Sequence, residues 1–210
     1  MKEKIINALK WFFRSFIWLF VILLVIDIVT KQVIMNKNID PLNPIVLIPN
    51  FLNITFVKNK AAAFGIGFEN PAVNRWLYVG VASVAAMGIC YFFFKKHKEI
   101  TLYVRACLMM ILTGAIGNLI DRLFYKQTEY CVVDWIDFCG IWRWVFNIAD
   151  AAVVVGAFMM IGYLIVEEVK DYKKRKASEP KVEGKVLSKT EQEKKEYLEE
   201  ESKETEKVDN

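Results

Sequence analysis

The sequence predicts an all-α membrane protein with four transmembrane helices, a small extracytoplasmic β element and a disordered cytosolic C-terminal tail. Three observations point there. The 210-residue chain is 55% hydrophobic and 14% aromatic, with a mean hydropathy of +0.26, too apolar for an ordinary soluble domain. Four apolar stretches, at 11–29, 76–94, 102–120 and 146–166, are long enough to cross a bilayer core, which takes about 20 helical residues. Past Asp171 the chain becomes a run of Lys, Glu, Ser and Thr with few apolar residues, a composition that cannot bury enough surface to fold alone. The expected organisation is a four-span membrane domain over 1–169 and a charged tail over 170–210.

The first stretch is read as an anchor. No small-residue cleavage site follows it, and three further spans do. Near its outer end Asp27 and Lys31 stand four apart, a spacing that allows an ion pair worth about 0.2–0.5 kcal/mol on a helix surface. The connection that follows contains IVLI at 45–48 and LNITFV at 52–57, separated by Pro49 and Asn50. These short β-branched and aromatic runs predict a small sheet on the membrane surface. The segment CVVDWIDF at 131–138 has the same character, and if it is extended, Asp134 and Asp137 point to opposite faces.

In the third span, GAIGNLIDR brings Asn118, Asp121 and Arg122 to one helix face at spacings of three and four. Gly114 and Gly117 before them leave room for close helix packing. A structural ion pair or a headgroup contact is the plainer reading of Asp121 and Arg122. The fourth span repeats the pattern, with Asn147 and Asp150 three apart. Orientation follows from the basic residues beside the spans: Lys2, Lys4 and Lys10, then Lys95, Lys96 and Lys98, then Lys170, Lys173, Lys174, Arg175 and Lys176. Such clusters mark cytoplasmic segments. Both termini are then cytoplasmic, and the connections at 30–75 and 121–145 face outward.

The single histidine, His97, lies among lysines, so chemistry that needs an imidazole is not expected. Of the four cysteines, Cys90 and Cys107 fall within spans as small apolar residues; Cys131 and Cys139 share an outward loop and are read either as a disulfide or as two free thiols. No metal-ligand spacing is present, and no cofactor is expected. The tail interleaves lysines with glutamates, which argues against nucleic-acid binding. What remains for chemistry is carboxylates. Ionisable residues at a membrane span are costly enough to be functional candidates by default, and Asp150 and Asp134 both fall at the outer side.

DIVTK at 27–31, NKAAAF at 59–64, GNLIDR at 117–122, VVDW around Asp134 and FNIAD at 146–150 together resemble, in sequence and order, the signature blocks of lipoprotein signal peptidase, also called signal peptidase II. The resemblance covers the chain from the first span to the fourth and leaves out the tail. It implies an aspartyl endopeptidase of the bacterial cytoplasmic (inner) membrane, with its active site at the outer face. Such an enzyme removes the signal peptide from prolipoprotein precursors, cutting before a cysteine that carries diacylglycerol. On it, Asp134 and Asp150 match the two catalytic aspartates, Asn59, Asn118, Arg122 and Asn147 match polar residues that shape the site, and Asp27 matches the acid of the first block. Expected partners are lipidated precursors and membrane lipids, with the enzyme a monomer. Ala61 stands where the family usually has glycine, and Val145 where it often has proline.

Two other readings compete. A proton-coupled membrane transporter would place acids deep within the spans and show an internal repeat; no repeat is visible. A helix-packing scaffold would explain GAIGN but leaves Asp134 without a role.

Overall fold

The computed structural model describes residues 2–37, 39–61, 67–178 and 191–198. Its elements are helices α1 (Lys2–Ser15), α2 (Ile17–Lys37), α3 (Pro71–Lys96), α4 (Leu102–Phe124) and α5 (Ile148–Ser178), with strands β1 (Ile45–Ile48), β2 (Leu52–Asn59) and β3 (Val132–Asp137). Helices α2, α3, α4 and α5 are each long and apolar enough to cross a membrane. The chain divides into two compact units, Met1–Leu164 and Ile165–Asn210.

The first span departs from its expected place. The sequence suggested one helix over 11–29, whereas α1 ends at Ser15 and the membrane-crossing helix begins at Ile17. Between them Phe16 adopts φ 61°, a left-handed conformation in which neither helix can continue. The corner is held locally. Buried Ser15 donates its hydroxyl to the Phe12 carbonyl at 2.7 Å and accepts the Ile17 N–H at 3.3 Å, while Phe16 packs against the core around Phe93 and Leu108. No glycine or proline marks the break. Because α2 runs on to Lys37, Asp27 and Lys31 lie inside the helix and not at its end.

The remaining spans begin with conventional caps. Asn70 accepts the Ala72 N–H at 2.9 Å ahead of Pro71, and Thr101 accepts the Val104 N–H at 3.3 Å, so each supplies a partner for a first-turn amide. Helix α4 is the inner element: 44% of its apolar window is buried, against 11–17% for the other three spans. Gly114 and Gly117 let α4 approach its neighbours closely. A Cβ at Gly114 would run into the Val153 side chain and lie 2.5 Å from the Ala149 carbonyl, and one at Gly117 would lie 2.7 Å from an Asp27 carboxylate oxygen. The small residues of GAIGN are thus what allow α2, α4 and α5 to meet.

The three strands form one antiparallel sheet in the order β1-β2-β3, as the β-branched runs predicted. Ile34, Ile39 and Val133 fill the space between the C-terminal end of α2 and the sheet, with Phe56, Tyr125 and Trp135 packed around them. Phe146 then pairs with Ile136, donating to its carbonyl at 3.0 Å and accepting its N–H at 2.7 Å. This bridge fastens β3 to the segment that enters α5. In the second unit α5 continues to Ser178, past the point where the sequence suggested that order ends. Its Lys and Arg are good helix formers, and Lys170–Glu167, Lys174–Asp171 and Arg175–Glu168 pair along it. Residues 191–198 are also helical; the rest of the tail lies outside the described residues.

Candidate active site

The site is assembled where the second half of α2, the C-terminal end of α4, the N-terminal end of α5 and strand β3 converge. Lys31 is at its foundation. Its ammonium is fully buried and ion-paired with Asp27 at 2.8 Å and Asp121 at 2.9 Å, and it donates to the Asn118 side-chain oxygen at 3.0 Å. Three N–H donors meet three acceptors, so the ammonium is satisfied without water. An i,i+4 pair on a helix surface was the plain reading of Asp27 and Lys31. A third carboxylate from α4 makes the group a buried network, which a spacing within one helix could not reveal.

Each acid of that network reaches onward. The Asp27 carboxylate accepts the backbone N–H of Ala149 at 2.9 Å, in the first turn of α5, where helix amides lack internal partners and favour negative charge. The Asp121 carboxylate accepts the backbone N–H of Val133 at 3.1 Å. One buried lysine therefore fixes the residue before Asp150 and the residue before Asp134.

Asn147 joins the two aspartates themselves. Its side-chain amide donates to Asp134 at 2.6 Å, its side-chain oxygen accepts the Asp150 backbone N–H at 2.9 Å, and its own backbone N–H donates to the Asp150 carboxylate at 3.3 Å. Asn118 donates to the other Asp150 oxygen at 2.7 Å, and Asn59 donates to the second Asp134 oxygen at 2.9 Å. Asp134 is 2% exposed and Asn147 fully buried. Burial, and then the Asp150 carboxylate nearby, push the Asp134 carboxyl up to about 7, against the pull of the hydrogen bonds from Asn59 and Asn147. Such a value lets a carboxyl hold or release a proton near neutrality.

Arg122, on the same face of α4, donates to the Asn118 carbonyl at 3.2 Å and to the Ala61 carbonyl at 2.9 Å. Ala61 is held from its other side too, its N–H reaching the Asn59 side-chain oxygen at 2.9 Å. Residues 62–64 of the NKAAAF block lie outside the described residues. Asp137 stands apart: it receives the Asn53 amide at 3.4 Å, as the alternation of a strand required. Asp27, Asn59, Asn118, Arg122, Asn147, Asp134 and Asp150 are accordingly brought together, and Asp137 is not.

The sequence reading gave no place to Arg75. Its Nε donates to the Arg122 carbonyl at 2.9 Å, and its guanidinium lies 3.5 Å from the centre of the Tyr130 ring and 4.8 Å from that of Trp76. Tyr130 and Glu129 both have φ 60°, so Arg75 braces a strained turn that leads into β3. The neighbouring aromatic in NRW was the available signal. Cys131 and Cys139 are free thiols, as are Cys90 and Cys107, and among the described residues no cluster of His, Cys, Asp and Glu suits a metal ion.

Replacing Lys31 with methionine would leave Asp27 and Asp121 buried with no counter-ion. Breaking a buried charge network in this way costs about 3–5 kcal/mol. Lys31→Met in detergent should unfold at a clearly lower temperature than the unaltered protein. An unchanged midpoint would show that the network does not hold the helices.

Comparison with known proteins agrees with this architecture. A solved bacterial membrane enzyme superposes with a TM-score of 0.61 at 28% identity, covering 79% of this chain and 93% of that one. A lipoprotein signal peptidase of Fusobacterium nucleatum is 37% identical over 147 residues, 70% of this chain and 83% of that protein. One of Clostridioides difficile is 34% identical over 155 residues, 74% of this chain and 97% of that protein. The family described as signal peptidase (SPase) II matches residues 19–166, so the chain, with its four apolar helices and small sheet, belongs to the signal peptidase II family.

Proposed function

We propose that this protein is an aspartic endopeptidase that removes the signal peptide from diacylglyceryl-modified prolipoprotein precursors, with Asp134 and Asp150 as its catalytic pair. The observation that carries the reading is Asn147, one buried residue that hydrogen-bonds both carboxylates. Two carboxylates held this near each other in a poorly solvated place do not both ionise easily, so near neutral pH they share one proton. The ionised partner takes a proton from a water molecule as its oxygen attacks the scissile carbonyl carbon. The protonated partner then gives its proton to the amide nitrogen as the C–N bond breaks, leaving a carboxylic acid on the signal peptide and a free amine on the lipidated cysteine. No acyl-enzyme forms. Which aspartate starts as the base is a property of the coupled pair.

The side-chain donors of Asn59, Asn118 and Asn147 are directed at the aspartates, which suits them to position and polarise the pair. Arg122 uses one N–H on each of two carbonyls; a guanidinium has five. The donors that meet no carbonyl among the described residues are the ones suited to a developing oxyanion or a substrate carbonyl. The transporter reading has less support, since Asp134 is on a strand and the family is a peptidase family.

Each of Asp134→Asn and Asp150→Asn should abolish release of signal peptide from a lipidated precursor by the purified protein, while the variants still insert and fold. Asp137→Asn should retain most activity, and precursor without diacylglycerol should be cleaved poorly, because each CH₂ held in an apolar environment contributes about 0.8 kcal/mol. Activity in Asp134→Asn with loss in Asp137→Asn would reassign the pair, and equal rates with and without lipid would remove the reason for a site at the bilayer edge. The family supports a place in the bacterial inner membrane, and the lysines beside the spans support an orientation with both termini cytoplasmic and the pair at the outer face. A membrane-impermeant maleimide should label Leu42→Cys in intact spheroplasts, Leu42 being 89% exposed; labelling only after lysis would reverse the orientation.

A further inference from the structure

Helix α1 plays no part in the proposed chemistry and, at 14 residues, is too short to cross a membrane, yet it is the most strongly amphipathic of α1–α5. At 100° per residue, Ile5, Ile6, Leu9, Phe12 and Phe13 fall on one side, and Glu3, Lys4, Asn7, Lys10 and Arg14 on the other. Ile5, Ile6, Leu9 and Phe13 are 48–61% exposed. A soluble helix would bury such a stripe. Three basic side chains, Lys4, Lys10 and Arg14, against the one acidic Glu3 make that other side cationic, and Lys2 stands at the N-terminal edge of the apolar side.

The position of α1 is fixed by the corner at Phe16 and by contacts with the α3–α4 turn. The Arg105 guanidinium donates to the Arg14 carbonyl at 3.1 Å, and also to the carbonyls of His97 and Ile100; Trp11 meets the His97 ring edge-on at 6.5 Å. The same turn carries Lys95, Lys96 and Lys98. Helix α1 is thereby attached at the end of α4 remote from Asp121 and Arg122, next to a second basic segment, directly before a helix that spans the membrane.

We propose that α1 is an interfacial helix that binds anionic phospholipid, its apolar side sunk among the acyl chains and Lys4, Lys10 and Arg14 on the headgroup phosphates. The charge of the helix and its attachment beside a span select this occupant: exposed apolar side chains adjoining a membrane-crossing helix meet lipid, and basic residues at that depth meet phosphate. Through Arg105 the helix would set how the α3–α4 end sits in its leaflet.

Amide hydrogen exchange on the full chain in single-copy nanodiscs tests this. Amides of residues 2–15 should exchange severalfold more slowly in phosphatidylglycerol discs than in phosphatidylcholine discs, with the spans unchanged. The K4Q/K10Q/R14Q variant should lose that difference, and L9Q/F13Q should exchange fast in both lipids. Equal exchange of the unaltered helix in the two lipids, or a triple variant that keeps the phosphatidylglycerol effect, would overturn the proposal. So would protection that follows a second copy per disc and not the headgroup charge.

Discussion

The buried ammonium of Lys31 is the constraint on which the rest of the site depends. A lone charge in a membrane interior is costly, and here it is tolerated because Asp27, Asp121 and Asn118 surround it. Those partners come from two helices, so satisfying the lysine obliges α2 and α4 to pack at one register. The glycines of α4 allow the approach. Both acids also accept backbone amides, Asp121 from β3 on the oxygen that meets Lys31 and Asp27 from α5 on its other oxygen, and a local electrostatic requirement becomes the geometry of a site.

That arrangement holds one carboxylate from a strand and one from a helix on fixed donors. Asp134 approaches from β3, which the bridge between Ile136 and Phe146 ties to the start of α5. Asp150 stands in the first turn of α5. Between them the asparagines supply fixed amide dipoles, which do not reorganise when charge moves. In the proposed mechanism this leaves Arg122 as the donor with capacity for substrate.

Much of this was legible in the sequence. The four spans followed from length and hydropathy, the strands from β-branched runs bounded by Pro49 and Asn50, and the candidate aspartates from the cost of carboxylates beside apolar helices. What escaped has physical reasons. The corner at Phe16 has no glycine or proline to announce it; it is held by the Ser15 hydroxyl and by where the Phe16 ring packs, which only the tertiary structure determines. The weight of Asp27 and Lys31 depended on Asp121, distant in sequence. The resemblance named Asn147, but not its bond to Asp134, which arises only when β3 folds back beside α5. Arg75 acts through a turn whose left-handed Glu129 and Tyr130 carry no local signature.

Asp134 and Asp150 are proposed to work as a pair sharing one proton, and the sharpest test is the pH dependence of kcat/KM for signal-peptide release from a lipidated precursor, which reports the ionisations of the free enzyme. With the Asp134 carboxyl pushed up to about 7, the shared proton is lost as pH rises through that region, and at low pH both carboxyls become protonated. The account predicts a bell-shaped profile whose alkaline limb falls near neutrality and whose acid limb falls as the base is protonated. A rate that climbs with pH and stays high into the alkaline range would contradict it, and would point to a nucleophile or base other than this pair.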